Sequence, residues 1–273
     1  MAEQSKPHIV VEAVSDLVKA VPIYQDTLQP AAKELGKALQ TVAKSIHLAL
    51  APVAALVWGY EQIQQYLSET LARRLMHVPT ERIITPSPVI AGPILEALRF
   101  VGTVEELRDL YANLLASSMD RSTASNTHPS FVEVIKNLSP DDARIIRLFA
   151  SRLHYPVIDI RARTPVDRTG RYHYRLVVVN HSSLGELAKC ERDATGTYLD
   201  NLCRLGLLHI QEDELTAKAY DGIVDEKELE ELRKEIEAEK DWEMQIVRKG
   251  VRITNFGINF LQSCLPPHDR LNG

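Results

Sequence analysis

The chain is poor in the features that announce a chemistry. It has three cysteines in 273 residues, Cys190, Cys203 and Cys264. They are odd in number, widely spaced and set among apolar helical positions, which argues against a disulfide framework or a zinc site and fits reduced thiols in a cytosolic protein. No apolar run is long enough for a bilayer: the longest uncharged one, Leu48 to Trp58, falls short of the about 20 residues a span requires. Met1 to Lys6 lacks a positive region followed directly by an apolar core, so no secretory signal is expected. Positive charge is not in excess either. The formal net charge is −5, so any nucleic-acid binding must come from a local patch. Hydrolytic motifs are missing as well: there is no Gly-Xaa-Ser-Xaa-Gly elbow, phosphate-binding glycine loop, His-Glu-Xaa-Xaa-His or Cys-Xaa-Xaa-Cys pair. Pro140-Asp141 is accounted for by helix capping, and Asp225-Glu226-Lys227 falls in a helical pattern rather than a strand. No catalytic residue, metal ligand or cofactor is expected. What the chain does have is 45% apolar content, enough for one large or two ordinary domains, each with a core.

The N-terminal half reads as helices separated by prolines. From Pro30, Leu35, Leu39, Val42, Ile46 and Leu50 take one side and Lys33, Lys37 and Lys44 the other. Pro52 interrupts this pattern. A second helix carries Val53, Leu56, Val57, Tyr60, Ile63, Leu67, Leu71 and Leu75 in one stripe. Pro79, Pro86, Pro88 and Pro93 mark an extended connection leading into a short helix through Ile94, Leu95, Leu98 and Phe100. Thr103-Val104-Glu105-Glu106 has the form of a capping box and predicts a helix from Val104 with Leu107, Leu110, Tyr111, Leu114 and Leu115 on its apolar face. Ser117 to Thr127 reads as a polar loop, and Phe131 to Ile135 begins another short helix.

Ser139-Pro140-Asp141-Asp142 combines a hydroxyl cap, a first-turn proline and two carboxylates at the positive end of a helix. It predicts a helix from Pro140 to Leu153 and a domain boundary just before it. Val157, Ile158 and Ile160, then Leu176 to Val179, read as two strands around Asp167-Arg168-Thr169-Gly170, an inserted hairpin at 155–180. Ser183 to Cys190 and Thr195 to Leu205 form a helix-turn-helix pair. Gly206 sits where that last helix needs a left-handed residue, with Leu207 folding back over it. Residues 211–243 hold fourteen acidic and five basic side chains, a net charge of −9, and read as a surface insertion with a helix from about Glu226 to Trp242. Val251-Arg252-Ile253 is a short strand, and Thr254 or Asn255 caps a closing helix. The expected fold is mainly α with a smaller β part. A helical N-terminal domain, 1–138, precedes a winged-helix-like α/β domain, 139–273, that carries the hairpin and the acidic insertion.

Six ordered blocks of this sequence resemble the bacterial abortive-infection alpha family. They are Gln29 to Lys37, Leu48 to Pro52 with Trp58-Gly59-Tyr60, Asn113 to Asp120, His128 to Phe131, Leu138 to Asp141 and Asn201 to Leu207. The resemblance implies a protein of bacterial or mobile-element origin that takes part in defence against phage, by a route in which infected cells stop growing. It brings no catalytic mechanism with it.

Three groups of residues are candidate sites. Asp109, Asn113, Ser117 and Asp120 fall on one helical stripe leading toward His128; two carboxylates and an imidazole suit a metal or proton transfer. The favoured reading is structural, with Asp109 a solvated charge and the others tying the loop to the helix end. Arg161, Arg163, Arg168, Arg171 and Arg175, with Arg192 and Arg204 on the reading helix, are candidate nucleic-acid or anion contacts. Residues 152–175 carry a net +4. The reading helix between Cys190 and Leu205 carries a net −1, which favours a protein partner over a DNA groove. Lys33, Lys37 and Lys44 opposite Leu50, Leu56 and Trp58 suit an anionic membrane surface or self-association, with packing against the neighbouring helix favoured. A protein partner or self-association is therefore expected. DNA through the local basic patch, and a membrane surface on activation, are the alternatives.

Overall fold

A computed structural model of the chain describes residues 59–191, 194–212, 215–223 and 226–266. The Lys33, Lys37, Lys44, Leu50, Leu56 and Trp58 group and Arg192 lie outside the described residues. Contacts divide the chain into two units: one takes the chain up to Asn137 and the segment from Asn259, the other takes Leu138–Ile258.

In the first unit, α1 (Tyr60–Leu75), α2 (Pro88–Val101), α3 (Glu105–Ser118) and α4 (Ser130–Lys136) are joined by short connections. The stripe of α1 is buried as its spacing requires: Ile63, Leu67, Leu71 and Leu75 face inward at every third or fourth residue. Three expectations shift. The extended connection marked by Pro79, Pro86, Pro88 and Pro93 ends before the last of them: the helix through Ile94, Leu95, Leu98 and Phe100 starts at Pro88, with Ser87 as N-cap and Pro93 inside it. A proline there lacks only the bond to the carbonyl of Val89, a residue on the exposed side of the helix. The helix expected from Val104 starts at Glu105 with Val104 as an extended N-cap and no side-chain cap, so Thr103 does not act as a capping hydroxyl. The polar segment after Leu115 also begins later than its composition suggests, because α3 continues to Ser118. Its serines stay helical by finding carbonyls: Ser118 Oγ donates to Leu115 O at 2.7 Å. The C-terminal helix α9 (Asn255–Cys264) closes this core. Its Phe260 ring stands edge-on to Phe131, with centroids 5.5 Å apart.

The second unit opens with α5 (Pro140–Leu148), capped as Ser139 predicts: Asp142 N donates to Ser139 Oγ at 3.1 Å, and Ser139 N donates back to Asp142 Oδ2 at 2.8 Å. This helix stops five residues short of the expected Leu153, because the chain must extend to begin β1 (His154–Arg163). Then follow β2 (Tyr174–His181), α6 (Leu184–Leu187), α7 (Thr195–Arg204), β3 (Leu208–Gln211), α8 (Glu226–Glu237) and β4 (Glu243–Ile253). The four strands form one antiparallel sheet in the order β2-β1-β4-β3. The hairpin is therefore not an appendage. β1 lies inside the sheet, paired with β4 along its whole length from His154↔Arg252 to Arg163↔Glu243. It is buried almost continuously from Tyr155 to Ile160, as a strand covered on both faces is.

Gly206, at φ +74°, ends α7 as the sequence predicts. Its N–H reaches Cys203 O at 2.9 Å, and Leu207 N reaches Leu202 O at 3.0 Å, a Schellman arrangement. The acidic segment contributes a core of its own. Ile160, Ile158 and Ala162 on one face of β1 pack with Tyr220, Ile223 and Ile236, and Leu229, Leu232 and Trp242 join them.

Candidate functional site

The polar stripe of α3 is fully engaged within the first unit. Tyr66 Oη donates to Asp109 Oδ1 at 2.8 Å; burial first and the Asp109 carboxylate second push that phenol up to about 12. Asn113 Nδ2 returns to Asp109 O at 2.8 Å, and Ser117 Oγ donates to Ser263 O at 2.9 Å. Asp120 receives Arg82 in a two-pronged pair, at 3.0 and 2.7 Å from Nη2, while Ser122 N donates to its Oδ1 at 2.9 Å. Burial by itself would raise the Asp120 carboxyl. The Ser122 amide and the Arg82 guanidinium outweigh it and hold the group below the usual carboxylate range. Asn113, Ser117 and Asp120 share a small open recess with Arg74, Val78 and Thr123. Asp109 and His128 are not part of it. His128 Nδ1 is 2.5 Å from Ser130 Oγ and accepts from Ser130 N at 3.1 Å, at the start of α4. Among the described residues, no group of three or more His, Cys, Asp or Glu side chains is placed to hold a metal ion.

In the second unit the sheet separates the candidate arginines. Arg161 and Arg163 alternate with Ile160 and Ala162 along β1, so they project from the face opposite the acidic segment. The Arg161 guanidinium lies 5.2 Å from the ring centre of Tyr174 and 3.3 Å from Asp159 Oδ2; Arg163 approaches Glu243 at 3.7 Å. Arg175 is paired across the strands with Ala162. It belongs to the acidic side, where it contacts Glu239 at 2.6 Å and lies over the Trp242 ring. Arg168 and Arg171 stand exposed in the connection between β1 and β2. Arg204 donates to Asn201 Oδ1 at 2.7 Å within α7.

Two polar assemblies in this unit carry no local sequence signal. The first joins α5 to α7. Asp142 Oδ2 accepts from Asn201 Nδ2 at 2.9 Å, and Asp141 accepts from Tyr198 Oη at 2.5 Å and pairs with Arg144. The hydrogen bond to Asp141 pushes the Tyr198 phenol up to about 12. The second is buried beneath the sheet surface. Lys249 Nζ lies 2.6 Å from both Asp159 Oδ1 and Asn180 Oδ1, and Asn180 N donates to Asp159 Oδ1 at 3.0 Å. Asn180 Nδ2 continues the chain to Asp200 Oδ1 at 2.8 Å. Asn180 adopts φ +54° to do this, a conformation asparagine tolerates better than most residues. Burial opposes ionisation of Asp159, but the Asn180 amide and the Lys249 ammonium hold its carboxyl below the usual range.

The described chain is thus a mainly helical protein with one four-stranded antiparallel sheet. It belongs to the abortive infection alpha family, whose model matches residues 59–264. A solved structure of an uncharacterized protein from the hydrocarbon-degrading marine bacterium Alcanivorax borkumensis SK2 is similar at 15% identity and a TM-score of 0.31. The similarity covers 52% of this chain and 94% of that one. Among curated proteins none matches the chain.

Proposed function

We propose that the protein serves in bacterial defence against phage, in the abortive-infection manner, as a binding or effector protein rather than through an active site. The observation that carries this reading is the family match across 59–264. The side-chain chemistry supports it. Asp120, a carboxylate of the candidate cluster, is held ionised by Arg82 and the Ser122 amide, and a carboxyl held ionised is a poor general acid near neutral pH.

We read the second unit as a winged helix. The succession α5, β1, α6, α7, β3, β4, with sheet neighbours β1-β4-β3, supports that reading, and β2 and the acidic segment are its additions. In it, α7 takes the place of a recognition helix. That helix exposes Asp200 together with Arg204, so it offers phosphate no excess of positive charge, which favours a protein partner over duplex DNA. The membrane reading depends on Lys33, Lys37 and Lys44, outside the described residues. Among the described residues, no helix is long and apolar enough to cross a membrane.

The test is to express the chain in a bacterial host and challenge it with a phage panel at low and high multiplicity. Plaquing should fall at least about ten-fold for some phages, with culture survival at low multiplicity and arrest at high. Unchanged plaquing for every phage, at confirmed protein abundance, would overturn the defence reading. Salt-sensitive retention of duplex DNA by purified protein would move the winged-helix regulator ahead of the protein-binding reading.

A further inference from the structure

Along β1, Val157 and Asp159 are buried, while Arg161 and Arg163 on the same face are partly exposed, so the cover over that face ends between Asp159 and Arg161. Beyond it the sheet presents aromatic rings to solvent. Tyr172 and Tyr174 are 47% and 54% exposed, and their ring centres are 6.3 Å apart. Arg161 lies against the Tyr174 ring, and Arg163 is its cross-strand neighbour. Arg168 and Arg171 extend the cationic surface past the strand ends. The one acid of that connection, Asp167, is consumed by the turn: its Oδ1 accepts from Thr169 N, Thr169 Oγ1 and Arg171 N at 2.7 to 2.9 Å.

The charge of this face is positive although the chain is acidic. Asp159 already has Lys249 at 2.6 Å, so Arg161 is a second cation for a single carboxylate. Most of the acidic segment lies on the opposite face, against Ile160 and Ala162; its last residue, Glu243, reaches this face 3.7 Å from Arg163, so Arg161, Arg163, Arg168, Arg171 and Lys249 stand against Asp159, Asp167 and Glu243. Exposed aromatic rings interleaved with guanidinium groups form the surface that single-stranded nucleic acid uses: bases stack on the rings and phosphates meet the cations. A duplex keeps its base faces stacked on one another, so it can meet the cations with its phosphates but offers no base face to the rings. We propose that the solvent face of the β1–β2 hairpin, through Tyr172, Tyr174, Arg161, Arg163, Arg168 and Arg171, binds single-stranded nucleic acid. This site is independent of the defence reading and stands or falls on its own measurement.

The experiment is fluorescence anisotropy of the full chain with labelled oligo-dT and oligo-rU, and with a duplex of equal length, between about 50 and 200 mM salt. Single strands should bind at least about ten-fold more tightly than the duplex, consistent with stacking. Tyr172→Ala with Tyr174→Ala should weaken binding about ten-fold or more, and the double Phe variant should restore it, with circular dichroism unchanged in both. Arg168→Ala with Arg171→Ala should flatten the log–log salt slope by about 1.4. Equal affinity for duplex and single strand, an unaffected Tyr→Ala double variant, no binding at the lowest salt, or displacement by polyglutamate at equal charge would each overturn the proposal. The last result would assign the surface to an acidic peptide. Plaquing with the same variants reports the defence reading separately.

Discussion

Asn201 and Asp142 meet across the second unit: the Asn201 amide donates at 2.9 Å to the same carboxylate oxygen, Oδ2, that accepts from the backbone and hydroxyl of Ser139 at 2.8 Å. A residue that caps α5 therefore also anchors α7. Asp142→Ala should remove both functions. Loss of a cap alone costs about 1 kcal/mol, and the amide of Asn201 left without this acceptor adds about 1 kcal/mol more. The expected outcome is a fall of about 2 kcal/mol in the urea unfolding free energy, with amide exchange in α7 rising with that in α5. Ser139→Ala, which leaves Asn201 and Asp142 together, should cost about half as much.

The Asp159–Lys249 pair makes a sharper test. Both side chains are largely buried, 5% and 10% exposed. Lys249→Met should destabilise by about 3 kcal/mol, since it strands a buried carboxylate. Replacing both, Lys249→Met with Asp159→Leu, should recover a substantial part of the loss, because apolar packing substitutes well for a buried ion pair. A double-mutant cycle by urea unfolding checks this.

The pH dependence follows from the same carboxylate. The folded-state pKa of Asp159 is depressed, as is that of Asp120. Each therefore contributes stability that is fully present above the unfolded value of about 3.9 and is lost as pH falls through the folded value. Between pH 7 and 5 these two groups should leave the melting temperature unchanged, and below about pH 4 it should fall steadily. Asp159→Asn should flatten the acid limb measured by thermal denaturation.

Two glycines should differ in tolerance. Gly206→Ala places a side chain at φ +74° with only ordinary contact at Phe256, a strain of about 1 kcal/mol. Gly257→Ala brings a Cβ to 2.7 Å from Ile253 Cγ1 and against the backbone oxygen of Leu207. It should cost about 3 kcal/mol, near the upper end for overpacking, and lower the midpoint of urea unfolding well beyond the Gly206 variant.

The acidic segment should be structural. Ile236 is 2% exposed, so Ile236→Ala should cost about 3 kcal/mol. Glu237→Ala, one residue on and exposed, should change the unfolding midpoint little.

Local patterns in the sequence located most helices of the described residues, because caps and stripes act over three or four residues. Ser139 and Gly206 marked real helix ends. Thr103 did not, since a capping hydroxyl works only if the chain turns at that residue, and here it turns at Val104. The acidic insertion was read by its charge, which hid the spacing of Leu229, Leu232 and Ile236 that seats α8 on the sheet. The sequence also kept five hairpin arginines together as one patch. Strand alternation divides them, sending Arg175 to the acidic face and Arg161 and Arg163 to the other. The Lys249–Asp159–Asn180 assembly joins residues 21 to 90 positions apart, and strand pairing alone brings them together.

The return of the chain from Asn259 to the first unit orders events during synthesis. Phe131 leaves the ribosome early, but Phe260, the ring that packs against it, follows only after all of Leu138–Ile258. The nascent first unit must therefore wait, with part of its apolar interior uncovered, while a complete second unit emerges. Chaperone dependence during translation should accordingly centre on the N-terminal helices, although the sheet is the part with the longer-range pairing.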